Sequence, residues 1–143
     1  MMAFYFQRLI EIYPFFLKGL WMTVMVSAAG LVFGTAGGFL LGILRARDNV
    51  WLTRPIGAFV ALIRGTPFVV QIFIIFFVLP EMGIQLEAFP AAIVALSILG
   101  TAFICEIVSG GIRAVSAGQW EAARASGLNL YQQLRFVIIP QAM

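Results

Sequence analysis

Between Gly19 and Leu44 the chain carries no charged residue. A helix over that run of about 26 residues is roughly 39 Å long, enough to cross a bilayer core with some tilt. The run ends abruptly at Arg45, Arg47 and Asp48. Within it Gly30, Gly34, Gly38 and Gly42 recur every four residues, with Thr23 and Ser27 extending roughly the same face. On a helix this spacing makes one smooth stripe where a second helix can approach closely, a packing device without chemistry of its own.

Two more apolar regions follow. Ile56 to Leu79 contains Arg64-Gly65-Thr66-Pro67. Thr66 suits an N-cap and Pro67 a first helical position, so a fresh helix is expected there. The thirteen or so residues after the break reach only about 20 Å, so the span needs the segment before Arg64, or a continuation past Pro80, to cross. The third region, Phe89 to Ile112, is interrupted by Glu106. The reading is an all-α, polytopic membrane protein forming one transmembrane domain over residues 1–143, with spans at 19–44, 56–79 and 89–112 and a polar loop at 113–140. In that loop Ser116 with Gln119, and Asn129 with Gln132, fit capping boxes opening two short helices. Gly127 suits a helix end, and Pro140 a break or kink.

Composition narrows the function classes. The chain is 62% hydrophobic and 10% charged, with no histidine and one cysteine. Disulfide frameworks and cysteine-based zinc sites are excluded, as is chemistry that needs histidine. Without histidine, paired aspartates or a nucleophile–base set, an intramembrane enzyme has no support, and neither catalytic nor metal-binding residues are assigned. The formal charge of +3 reads as membrane orientation, and nucleic acid is not an expected partner. Arg45, Arg47 and Arg54 lie between the first two spans, and Arg113, Arg124 and Arg135 follow the third. The acidic loop from Pro80 to Ala88 carries no positive residue. The positive-inside rule therefore puts the N-terminus outside and the 113–140 loop in the cytoplasm. Residues Met1 to Ile12 are read as an amphipathic segment on the outer surface.

Charge inside hydrocarbon costs about 2.5–3.5 kcal/mol at a helix centre. In this topology Arg64 and Glu106 fall at similar depth on antiparallel spans. They either pair, or line a water-filled cavity, or snorkel separately to the headgroups. Gln71 either faces a substrate path or hydrogen-bonds across helices. Cys105 reads as a small buried hydrophobe.

The most specific pattern lies in the polar loop. Glu121-Ala122-Ala123, then Gly127, then Val137, Ile139 and Pro140 resembles the EAA loop of bacterial ABC importer permeases, with Val137 and Ile139 standing in for Ile and Leu. Arg64-Gly65-Thr66-Pro67 followed by Phe68-Val69-Val70-Gln71 resembles the corresponding segment of the polar amino-acid permease group. So do Glu106-Ile107-Val108 with Gly110-Gly111-Ile112, and Gly118-Gln119-Trp120 before the EAA. The likeness runs from about Tyr13 to the last residue. Ser109 stands where that group commonly has Arg, and Ser116-Ala117 where it has Pro-Lys.

The resemblance implies a permease subunit of an ATP-driven importer for polar or charged amino acids in the bacterial inner membrane. It implies coupling through Glu121, Ala122, Ala123 and Gly127 to an ABC ATP-binding subunit, which binds the ATP, so this chain needs no cofactor. It also implies a second permease subunit, an extracytoplasmic solute-binding protein and surrounding lipid. Arg64, Gln71 and Glu106 are the candidates for lining or gating the substrate path. Members of the group have about five spans, against three here, so a C-terminally truncated chain is expected. A truncated, permease-like protein that regulates or scaffolds without transporting is the alternative.

Overall fold

The computed structural model describes the backbone of residues 2–47 and 49–142, and side chains from Ile10 onward with the same gap at Asp48. The reading of Met1 to Ile12 as an outer amphipathic segment therefore falls almost wholly outside the described side chains. The described residues are all-helical apart from turns and short connections. Six helical segments follow in order: α1 (Met2–Arg45), α2 (Val50–Gly65), α3 (Phe68–Glu81), α4 (Ala88–Ala114), α5 (Ala117–Ala125) and α6 (residues 130–142).

α1 and α4 are each long and apolar enough to cross a membrane. α1 is longer than the charge-free run, because its helix continues unbroken through Pro14 toward the N-terminus. The glycine stripe of α1 lies on α4. A Cβ added at Gly30 would sit 2.7 Å from Leu96 Cβ, at Gly34 3.1 Å from Gly100 Cα, at Gly38 2.6 Å from Ile104 Cβ, and at Gly42 2.6 Å from Val108 Cβ. Each glycine therefore meets the residue 66 positions later, and both numbers rise together. The two helices are parallel. Such contact needs residues without a Cβ, since backbones this close leave no volume for one.

A parallel pair forces the intervening chain to come back. By the same register Arg45 lies level with Gly111, and Ala88 with Met22, so residues 46–87 must return about 35 Å along the axis. α2 and α3 do this in two steps. Val60 of α2 is buried with Ala102 and Cys105 of α4, packed by Leu41, Ile56, Phe59 and Ile63. Ile75 of α3 is buried with Ala91 and Ala95, at the other end of α4. Between these contacts the chain bends by 104° at Thr66-Pro67. If the bent pair counts as one span, the chain has three crossings.

The break differs from expectation in its capping. Pro67, not Thr66, is the residue before the first turn of α3. The Thr66 hydroxyl points back and donates to the carbonyls of Leu62 (3.0 Å) and Ile63 (3.4 Å), closing α2. Proline supplies no N–H to that last turn, so the freed carbonyls take side-chain donors instead. Pro14 and Pro55 lie within continuous α-helix, whereas Pro80 and Pro140 are accommodated by widening. A π-helical stretch over Ile74–Val78 precedes Pro80, and another over Gln133–Ile138 precedes Pro140. The wider turn relieves the clash of the proline ring with the carbonyl four residues earlier, so α6 runs on to Ala142 instead of stopping.

Candidate functional site

Two features stand out at the arginine-bearing end of the α1–α4 pair: a cluster of charges between the long helices, and the α5–α6 hairpin below them.

In the cluster, Glu106 Oε2 lies 3.1 Å from Arg64 Nη1 and 2.6 Å from Arg45 Nη1. One carboxylate thus joins α1, α2 and α4. The Arg45 side chain is 16% exposed, those of Arg64 and Glu106 about two-fifths. The Arg64 guanidinium also lies 5.4 Å from the centre of the Phe103 ring, a cation–π distance. The sequence brings Arg64 and Glu106 to the same depth. It gives no hint of Arg45, which sits at the last residue of α1 and reaches back to Glu106, about a turn deeper. Only the register of α1 on α4, which the contacts reveal, sets position 45 five residues beyond the level of position 106. Arg113 Nη2 donates to the Arg45 carbonyl at 2.6 Å, satisfying one of the carbonyls a helix end leaves open.

Gln71 stands apart from this cluster and is 6% exposed. Its amide nitrogen donates to the carbonyls of Ile63 (2.7 Å) and Thr66 (3.1 Å) and contacts Thr66 Oγ1 at 3.2 Å. These bonds tie the start of α3 to the end of α2 and fix the bend. Among the described residues the buried amide oxygen has no partner.

The hairpin is held by its backbone. Gly127 has φ +74°, a left-handed conformation that favours glycine. The Gly127 N–H donates to the Arg124 carbonyl (2.9 Å) and the Leu128 N–H to that of Ala123 (3.3 Å), which together form a Schellman end to α5. The Asn129–Gln132 capping box is formed in both directions and opens α6. The Ser116–Gln119 box is not. Ser116 makes no side-chain cap, and Gln119 Oε1 instead accepts from Gln141 Nε2 at the far end of α6. The hairpin closes through Gln133, whose Nε2 donates to the Leu128 carbonyl at 2.6 Å, and through fully buried Ile138. Within the EAA stretch, Glu121 and Ala122 face outward, whereas Ala123 is buried inside the hairpin. The end of α6 returns to α4, where a Cβ on Gly111 would lie 2.6 Å from the Ala142 carbonyl oxygen. Between the hairpin and the ends of α1 and α4 lies an open cleft of ≈ 540 Å³, with Arg47, Arg113, Trp120, Glu121 and Arg124 among its lining residues.

Residues 38–143 match the family described as binding-protein-dependent transport system inner membrane component. The chain belongs to this family. Among curated relatives in Bacillus subtilis, the probable glutamine ABC transporter permease protein GlnP is 39% identical over 129 residues, covering 90% of this chain and 59% of its own length. The probable amino-acid ABC transporter permease protein YckA is 34% identical over 134 residues, covering 94% of this chain and 59% of its own. A crystal structure of an amino acid ABC transporter with histidines superposes with a TM-score of 0.82 at 34% identity, over 96% of this chain and 64% of that one. The chain thus spans about three-fifths of the length of these transport-system components. Its apolar long helices make it a multi-pass membrane protein.

Proposed function

We propose that the chain is a membrane-spanning permease subunit of an ATP-driven importer that carries amino acids across the bacterial cytoplasmic membrane. ATP is bound and hydrolysed by a separate subunit, so this chain works without a cofactor of its own. A second permease subunit, alike or related, completes the pathway, and an extracytoplasmic solute-binding protein delivers the substrate. The arginine-bearing ends lie in the cytoplasm and the N-terminus outside, as the positive-inside rule requires.

The observation that supports this best is the α5–α6 hairpin. It is a short, rigid knob fixed by the Schellman end at Gly127 and the Asn129 box, anchored to the end of the apolar helix α4. Glu121 and Ala122 present a charge and a small side chain to a docking partner, while Ala123 keeps the hairpin closed. A load applied to such a knob moves α4 with it, because α6 ends against Gly111. Arg64 and Glu106 act as a gate on the cytoplasmic half of the path, and Gln71 holds the corner beside it. The substrate class is polar amino acids, in keeping with the glutamine permease named among the relatives.

The test is uptake of radiolabelled amino acids into proteoliposomes holding the assembled complex with ATP on the hairpin side. Ala122→Trp, which fills the docking face without touching the spans, is expected to reduce uptake to background and to abolish substrate-stimulated ATP hydrolysis. Uptake unchanged by Ala122→Trp overturns the coupling role. ATPase binding with no uptake of any amino acid overturns the transport reading in favour of a regulatory or scaffolding one.

A further inference from the structure

The cleft between the helix ends and the hairpin has a chemistry that, Glu121 apart, the proposed transport role does not use. Its lining includes three guanidinium side chains, Arg47, Arg113 and Arg124, against one carboxylate, Glu121. Asp48 follows Arg47 but lies outside the described residues. The remaining wall is largely apolar: Ile43 and Ile112 from the last turns of α1 and α4, Leu130 and Leu134 from α6, and Trp120. Among the described residues neither Arg113 nor Arg124 has a carboxylate partner.

Position decides between possible anions. Ile43 and Ile112 belong to the two membrane-crossing helices, so the cleft sits where those spans leave the hydrocarbon. A soluble anion gains nothing from an apolar wall beside its charge. A phospholipid needs both: guanidinium groups for the phosphodiester and an apolar wall for the first carbons of its chains. Basic pockets between helix ends at the membrane surface bind anionic headgroups for this reason, and tryptophan favours the same depth. A guanidinium also matches a phosphate by two parallel hydrogen bonds.

We propose that this cleft is a binding site for the headgroup of an anionic phospholipid. The bound lipid fills the gap between the hairpin and the end of α1, so the hairpin's position on the spans is set partly by membrane composition.

Native mass spectrometry of the protein purified in mild detergent, after delipidation and titration with phosphatidylglycerol or phosphatidylcholine, tests this without ATP or substrate. Its outcome is therefore independent of the transport reading. Arg113 is left in place because it holds the Arg45 carbonyl. The wild type is expected to retain one phosphatidylglycerol in preference to phosphatidylcholine. Arg47→Gln with Arg124→Gln is expected to weaken retention by roughly thirtyfold, the scale of two basic side chains at a membrane surface. Arg54→Gln, outside the cleft lining, is expected to leave it unchanged. Should the double variant fail to fold, wild-type selectivity and competition by glycerol phosphate still decide. Equal retention of both lipids overturns the proposal, as does equal loss in Arg54→Gln, which would mean diffuse surface attraction. Full displacement by glycerol phosphate overturns it in favour of a soluble anion.

Discussion

Glu106 carries two arginines on one carboxylate oxygen, and the two are not equivalent. Arg45 is nearer and less exposed than Arg64, so more of its solvation has been given up and more depends on its partner. Glu106→Gln strands both guanidiniums. With Glu106 and Arg64 about two-fifths exposed, the cost is discounted for solvent screening to about 1–2 kcal/mol. Thermal unfolding in detergent should show a larger loss for Arg45→Gln than for Arg64→Gln, and little further loss when either is added to Glu106→Gln. A simple charge exchange between positions 64 and 106 will not restore stability, because it sets a guanidinium at 106 against Arg45. The shared depth of Arg64 and Glu106 was legible, since both interrupt apolar runs on the same side of the membrane, but depth alone left pairing, a shared cavity and separate snorkelling open, and the contact decides for pairing. The part of Arg45 was not legible. Its backbone ends the span, so its charge reads as a loop residue until the helix register is known.

At the scale of elements, the sequence was most readable where a single residue type has one use. Glycine at 127 and the Asn129–Gln132 pair mark the hairpin because few other residues satisfy a left-handed end or a reciprocal cap. Thr66 and Ser116 misled, for hydroxyls have several good partners. Thr66 turns back to α2, and Ser116 loses its reciprocal partner because Gln119 bonds Gln141. The π-helical turns before Pro80 and Pro140 were not legible, since a proline announces a disturbance but not how the helix absorbs it. The glycine stripe carries a sharp prediction. Gly38→Ala brings a Cβ within 2.6 Å of Ile104 Cβ and 2.9 Å of the Thr101 carbonyl oxygen. It should destabilise the α1–α4 pair by about 1–3 kcal/mol, the usual cost of overpacking. Gly19→Ala, which meets nothing within 4 Å, should be neutral or slightly stabilising through helix propensity. Urea unfolding in detergent micelles separates the two.

For the whole molecule, all-α and membrane-spanning follow from composition, whereas the parallel course of α1 and α4 needs the contacts. That course fixes the number of crossings between them as odd, whatever the shape of the bent pair. Cysteine labelling with a membrane-impermeant reagent checks it. Cysteines introduced at Ala46 and Ala117 should react from one side and a cysteine at Gly83 from the other. The native Cys105 is fully buried and supplies no background. Reaction of the Gly83 position from the same side as Ala46, with Ala117 on the other, would mean that α2 and α3 dip into the membrane and return, and would overturn the parallel course of α1 and α4.

The stripe of glycines has a mechanical side as well. Gly30, Gly34, Gly38 and Gly42 engage Leu96, Gly100, Ile104 and Val108 like teeth of equal pitch. Sliding one helix along the other by less than a full tooth, about 6 Å, drives side chains into backbone. The pair is therefore indexed: it can hold its setting or jump a whole notch, but it cannot creep. Small rocking motions leave α1 and α4 locked as one beam, and the angular play falls on the corner at Thr66-Pro67, where Gln71 clasps the joint.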